Sequence, residues 1–326
     1  MKIAFCSCNH PLVQPSQPGW LALAAHAPDV LLLLGDTVYL EDTVQEVLLK
    51  PQRPVVRLGT AAFAQRLHVR YAAQAKVPQF RTALRASGQV LGTLDDHDFL
   101  GNDQYVQPHT QDKAQVARQL HRQFIAYCNT KPLPSAYPAL ADALAAPDTG
   151  FDRGLGVASS VELGQVKIIL LDNRSYRQSP HGRHTVALGS AQMAWLAQSL
   201  VGSQRVSIVA SGSTLSPGNR YLIRGSPLAD YPQDARLLRS LYQSQQHQVV
   251  LHLGGDVHYN THWPEQAAQD GFTELASSGM GSGLQPFLSR TQDNFGLLSV
   301  TEQAVEVQLR GKNPAGHVDL SLPFAV

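Results

Sequence analysis

Three cysteines in 326 residues, Cys6, Cys8 and Cys128, are too few for a disulfide framework. An excess of either charge is missing too. The 26 basic side chains stand against 25 acidic ones, a formal net charge of +1, which leaves no footprint for a nucleic-acid groove or an anionic membrane. No apolar run approaches the ~18 residues of a membrane-spanning helix. The chain passes from Met1 and Lys2 straight into a strand pattern, with neither the apolar stretch nor the small-residue cleavage site of an export signal. Ser211 and Ser213 lack the Gly-x-Ser-x-Gly elbow of a serine nucleophile. Low-complexity tracts are absent. The plain expectation is a cytoplasmic enzyme, although a chain trimmed of an export signal reads the same.

What is present is apolar: 43% hydrophobic against 16% charged, enough for a sizeable core and against disorder. The length permits one large domain or two ordinary ones. Residues 131–138 hold three prolines, and 132–152 read as a surface excursion rather than a linker, so 1–326 is taken as a single domain. Strand patterns are expected at 2–7, 29–34, 90–94, 157–163, 166–171, 206–210, 249–253, 272–276 and within 297–309. Helical spacing covers 20–26, 60–74, 80–85, 112–129, 190–200 and 234–245, with Ser190 as N-cap of the fifth. The alternation argues for an α/β fold. The closing strands lack helices between them, so part of the sheet system is antiparallel, and two packed mixed sheets with helices outside fit.

One stretch organises the rest. Residues 251–258 end an apolar run at a glycine pair, followed by Asp256 and His258. The theme recurs where Leu31, Leu32, Leu33 and Leu34 run into Gly35 and Asp36, with Tyr39 close behind, and where the strand pattern at 90–94 gives way to Asp95, Asp96, His97 and Asp98. Sites in open α/β sheets lie outside the carboxyl ends of strands. Carboxylates suit hard cations, whereas imidazole and thiolate suit transition metals. Asp36, Asp96 and Asp256, with His258, Cys8 and Tyr39, therefore make a plausible donor set for a metal centre assembled from strand ends. A carboxylate shared by two cations is the usual way to hold a pair at roughly 3.5–4 Å.

At this point a resemblance becomes specific. The ordered set Phe5 to Cys8, Gly35-Asp36-Thr37-Val38-Tyr39, Asp95-Asp96-His97-Asp98 with Asn102, Leu171-Asp172-Asn173-Arg174 with Tyr176 and Arg177, Gly189 with Gln192, Trp195 and Leu196, and Gly255-Asp256-Val257-His258 resembles the alkaline phosphatase D (PhoD-like) family of calcineurin-like metallophosphoesterases. It spans most of the chain. The resemblance implies a four-layer α/β/β/α sandwich of two mixed sheets flanked by helices, and a metal-dependent phosphomonoesterase or phosphodiesterase acting on a small phosphoester. It implies Cys8, Asp36, Tyr39 and His258 around a first metal, ferric iron by family habit. Asp36 would bridge to a second metal, calcium by the same habit, with Asp96 and Asp256; manganese or zinc are alternatives. His97 then assists the leaving oxygen, and Arg174 grips the phosphate. The chain departs from the family in lacking its N-terminal β-domain and export signal, in having Leu94 where a tryptophan is common, and in having Asp98 for a glutamate.

Plainer readings stand beside these. Cys8 and Tyr39 also suit a packed core. Cys6 and Cys128 read as core, and His252 as a satisfied core histidine. Asp95 reads as an N-cap or an acceptor for a histidine, Asp172 as a support for Arg174, and His10, Asn260 and His262 as neighbours rather than ligands. An inactive binding scaffold and a nuclease are the competing functions. Loops 102–111, 212–233 and 277–290 are expected to set specificity.

Overall fold

The computed structural model describes residues 1–42, 57–180, 185–202, 204–219, 225–245, 248–264, 271–281 and 293–324. Among these residues, two six-stranded mixed sheets form the fold. The first has the order β12 (Val318–Pro323), β11 (Ala304–Arg310), β10 (Phe295–Val300), β1 (Lys2–Cys6), β2 (Val30–Leu34), β3 (Gln89–Thr93). The second runs β4 (Ser159–Leu163), β5 (Val166–Leu170), β6 (Val206–Ala210), β7 (Val249–Gly254), β9 (Thr273–Ala276), β8 (Thr261–His262). Strands β1, β2 and β3 are parallel to one another, as are β5, β6, β7 and β9; the outer strands pair antiparallel. Each parallel block therefore opens all its exits on one edge.

Alternation along the strands builds the layers. In β1, Ile3 and Phe5 join Leu32, Leu34, Ile168, Leu170, Ile208 and Leu253 in the core between the sheets, whereas Ala4 and Cys6 turn to the outer core with Leu31 and Leu33. That outer core packs against α1 (Gly19–Ala24), α2 (Thr60–Lys76), α3 (Pro78–Ala86) and α4 (Gln111–Asn129). The inner strands are buried on both faces, which is why β2 is apolar throughout, a valine and then four leucines. Behind the second sheet, Ile169, Leu171 and Val209 pack against α7 (Ser190–Leu200) and α8 (Pro232–Gln243). The result is the expected α/β/β/α order. Burying one Leu or Phe side chain contributes about 1.5–3 kcal/mol, so Phe5→Ala in the middle layer would cost about 3–5 kcal/mol.

Local chemistry sets the helix boundaries. Val77 precedes Pro78 and is extended (ψ 117°), which ends α2 and lets the proline open α3. In α4, buried Lys113, Val116, Ala117, Leu120, Phe124 and Cys128 recur at helical spacing. Phe63, Leu67 and Tyr71 of α2 are buried, but Val69 is exposed. Ser190 does not cap α7: Gly189 holds the cap position at φ 81°, and Ser190 is already helical. The excursion at 132–152 carries two short helices, α5 (Leu140–Leu144) and α6 (Thr149–Asp152), and the alternating edge strand β12 was not anticipated. Residues 220–224 and 282–290 of the expected specificity loops lie outside the described residues.

Candidate metal centre

The exits of the two parallel blocks meet. Thr93, ending β3, donates its hydroxyl to the Leu171 carbonyl just past β5, 2.6 Å away and fully buried. Gly255 follows β7 where a Cβ would press on the carbonyls of Gly212 and Leu34 and on the Ser7 hydroxyl. Gly35, at φ 72°, turns β2 under Asp95 with no room for a side chain. These close approaches bring the residues after β1, β2, β3, β5, β6 and β7 to one place.

Four of them hold an unusual backbone. Among the described residues seven non-glycine residues have positive φ, and four of these are Cys8 (64°), Asp36 (47°), Asp256 (72°) and His258 (60°). Such conformations cost about 1 kcal/mol or more and persist where the surroundings enforce them. They aim the side chains inward. The Cys8 thiol donates to Asp36 Oδ2 at 3.4 Å, and Ser278 donates to Cys8 Sγ at 3.1 Å while accepting the His258 N–H at 3.0 Å. Tyr39 Oη lies 3.0 Å from His258 Nε2. Cys8, Asp36 and His258 offer ligand atoms within 4.8 Å of one another, and Asp36 belongs to a second such group with Asp96 and His97.

The donor set fits metal ions. Asp96 Oδ1 and His258 Nδ1 are buried without a hydrogen-bond partner, and orphaned atoms of this kind are costly unless a ligand answers them. Burial raises Asp36, and the neighbouring Cys8 and Asp96 raise it further; Tyr39 is raised by burial and then by Cys8 and Asp36. Asp256, partly open at the surface yet densely surrounded, is pushed up to about 7 by that surrounding and by Asp95 and Asp96. His258 is lowered by burial to about 4 and so keeps a free lone pair. Anions crowded in this way ionise together only beside a cation.

Asp256 stands outside both compact groups. Its Oδ2 accepts the Ser226 N–H at 2.6 Å and the Ser226 hydroxyl at 3.2 Å. Asp96 is pulled the other way from Asp36: burial alone would raise it, but Arg174, His97 and the Asp103 N–H bring it down to about 2. His97 donates its backbone N–H to Asp36 Oδ1 (3.1 Å), and its Nδ1 is 2.8 Å from Glu41 Oε2. Burial opposes its charge, yet Glu41 and Asp96 push it up to about 10. Tyr39 stacks on His97 at 4.0 Å between ring centroids and on His10 at 4.8 Å.

Arg174 arrives from the second sheet. Asp172 Oδ1 accepts its backbone N–H at 3.0 Å, as expected of a support, and its Nε donates to Asp95 at 2.5 Å. Asp95 therefore serves an arginine, with Asn173 and Ser213 as further donors, and not a histidine or a helix cap. Its partner comes from a residue 79 positions away, which local spacing does not reveal. Asp98 takes the N–H groups of Thr37 and Asp95 and ties the β2 and β3 exits together. Asn260 bonds Arg310 and Ser277, and His262 lies in β8. Cys6 and Cys128 are core, and His252 is buried against Tyr242 with Nε2 unpartnered. Glu41, Ser226, Ser278 and Asp103 were missed. Glu41 alone had a signal, sitting two residues past Tyr39.

No curated protein matches the sequence. Among solved structures, one titled as the structure of PhoD matches at 17% identity over 99% of this chain and 72% of that one, with a TM-score of 0.64. A protein from Thermus thermophilus (10% identity, 96% of this chain and 98% of that one, TM-score 0.42) and a 5'-nucleotidase from Candida albicans (10%, 92% and 47%, TM-score 0.40) are more distant. The PhoD likeness shows a shared metallophosphoesterase-type fold, the one whose strand exits gather donors here. A family model described as PhoD-like phosphatase matches residues 3–322, from β1 through almost all of β12, so that every residue at the centre lies inside it; the chain belongs to the PhoD-like phosphatase family and is a metal-dependent phosphoesterase.

Proposed function

We propose that the chain, acting as one domain, hydrolyses small phosphomonoesters or phosphodiesters at a binuclear centre. Cys8, Asp36, Tyr39 and His258 would hold the first metal, and Asp36 would be shared with a second held by Asp96 and Asp256. The observation that carries this reading is the membership of Asp36 in both compact donor groups, the arrangement a bridging carboxylate needs. Thiol, phenol and imidazole in one group suit a transition ion, for which the family resemblance favours ferric iron; the carboxylates suit calcium, and manganese or zinc are compatible with the same donors. Bound metal ions supply a water of lowered pKa and neutralise phosphate charge.

The chain's own groups do the rest. Arg174, immobilised by Asp95, presents its fork to the phosphate, and its buried Nη1 has no other partner. His97, kept cationic by Glu41, gives a proton or hydrogen bond to the departing oxygen. The Tyr39 stack and the Glu41 bond hold its ring in place. Elemental analysis, with aryl phosphomonoesters and phosphodiesters assayed in calcium and in manganese, tests the reading. Iron with a second metal, turnover of at least one ester class and a visible colour that bleaches in Tyr39→Phe are expected. One metal per chain with full activity overturns the binuclear centre, and a colourless, fully active zinc protein overturns the iron.

A further inference from the structure

A cavity of about 500 Å³ adjoins the centre, with Asp103, Tyr105, Arg174, Arg177, Ser226 and Tyr231 in its wall. Its two arginines are held differently. The charge of Arg174 is answered by Asp95 at 2.5 Å and Asp96 at 3.8 Å. Arg177 is only 4% exposed, yet its bonds go to neutral acceptors alone: Tyr231 Oη at 2.9 Å, Ser213 Oγ at 3.3 Å and the Ser226 carbonyl at 2.6 Å. Its guanidinium also lies over the Tyr231 ring, 4.8 Å from the centroid. Asp103 and Asp230 share the cavity wall, but among the described residues no carboxylate forms an ion pair with Arg177. Buried charges are normally paired. Here the neighbours fix the fork and leave the charge without a carboxylate in contact, Asp95, Asp96 and Asp103 acting on it only from beyond ion-pair distance, next to an opening of ligand size.

Its position says which part of a ligand it meets. Ser213 Oγ touches both guanidinium groups, at 3.2 Å from Arg174 and 3.3 Å from Arg177, and Ser226 also touches both, through its hydroxyl and its carbonyl. Arg177 thus stands beside Arg174 but, unlike it, is paired with neither Asp95 nor Asp96. We propose that Arg177 is a specificity residue that receives a second anionic group of the substrate, a carboxylate or a phosphate, beside the reacting phosphate. The preferred substrates are then phosphoesters of acidic alcohols, not of neutral ones. The inference rests on the reading above, in which Arg174 meets the reacting phosphate.

Three non-hydrolysable probes test it by calorimetry on the metal-loaded protein: propylphosphonate, 3-phosphonopropionate and propane-1,3-diphosphonate. A charge-assisted bond predicts about 10- to 100-fold tighter binding of one or both of the probes with a second acidic group than of propylphosphonate. The stronger of the two identifies carboxylate or phosphate as the second group. Arg177→Met should bring the ratio close to one, and Arg177→Lys, which keeps the charge, should restore part of it. A ratio near one in the unaltered protein, a ratio that survives Arg177→Met, or no binding of any probe overturns the subsite. The unaltered protein alone suffices for the first and last outcomes if a variant does not fold. Because these phosphonates have no ester bond to cleave, a protein that shows the preference yet hydrolyses no ester loses the hydrolase reading and keeps the subsite, while a hydrolase without the preference loses only the subsite.

Discussion

The exits of β1, β2 and β3 and those of β5 and β6 face one another across a seam but carry different side chains. The first set brings Cys8, Asp36, Asp95, Asp96 and His97, three of the five being carboxylates; the second brings Asn173, Arg174, Arg177, Ser211 and Ser213, cations and neutral polar groups, with Asp172 turned back to hold the Arg174 backbone. In the second sheet β7 contributes proposed metal donors as well, Asp256 and His258. The Arg174–Asp95 bond joins the halves. On the proposed assignment the anion-binding groups come from the second sheet and most metal donors from the first, with β7 of the second sheet completing the metal set. The variants below should damage the halves unequally.

The largest effect is expected in the acidic half. On the proposed assignment Asp36 is shared by both donor groups, so Asp36→Ala should empty the centre and take activity to background; elemental analysis of the purified variant, with turnover in parallel, checks this. A variant that keeps both metals would remove Asp36 from its bridging place. His97→Ala should behave otherwise, losing about 10²–10⁴-fold in kcat with KM little changed and metals retained, and losing less on a p-nitrophenyl ester whose leaving group needs less help. Loss of metal as complete as in Asp36→Ala would make His97 a ligand. In Glu41→Gln the charge that raises His97 is gone, so the alkaline limb of the kcat profile should move to lower pH.

The smallest effect is on stability. Asp256 and Asp98 have folded pKa values raised to about 7 from 3.8, so without metal their contribution is fully present below about pH 4 and is lost as pH rises through 7. His97, raised to about 10 from 6.5, adds a loss between those values. Buried His10, His121 and His258, lowered to about 4, and His252, lowered to about 3, pull the other way, because their contribution grows as pH rises through 6.5. The acids' share is therefore read by difference: Asp98→Asn, neutral at every pH, should make the change in stability of the metal-free protein from pH 5 to pH 8 more favourable than the unaltered protein's by on the order of 2–3 kcal/mol. Thermal melts of both proteins at both pH values decide it; parallel profiles would contradict the raised Asp98.

The acidic half was the more legible in sequence, for a physical reason. Its donors follow strands directly, so an apolar run ending in glycine and aspartate marks them, as at Gly35 and Asp36 or Gly255 and Asp256. The layered fold was readable from the same runs, because strands buried on both faces have no polar positions. The other half depends on encounters between distant loops. Arg174 was found only through the family resemblance, and Asp95 as its partner was not found. Ser226 and Ser278 lie in loops with no period to betray which side chains face the centre. Ser190 shows the converse failure: its type suits a cap, but Gly189, free to adopt φ 81°, took that place.

The left-handed backbone at Cys8, Asp36, Asp256 and His258 has a consequence for stability. Glycine adopts such dihedrals without steric penalty, and at each of these four positions it would relieve about 1 kcal/mol of conformational strain. The chain instead keeps thiol, carboxylate and imidazole there, together with the unfavourable backbone each must hold. On the proposed assignment thermostability and reactivity are therefore opposed at these four residues, and a sequence optimised for folding alone would place glycines there.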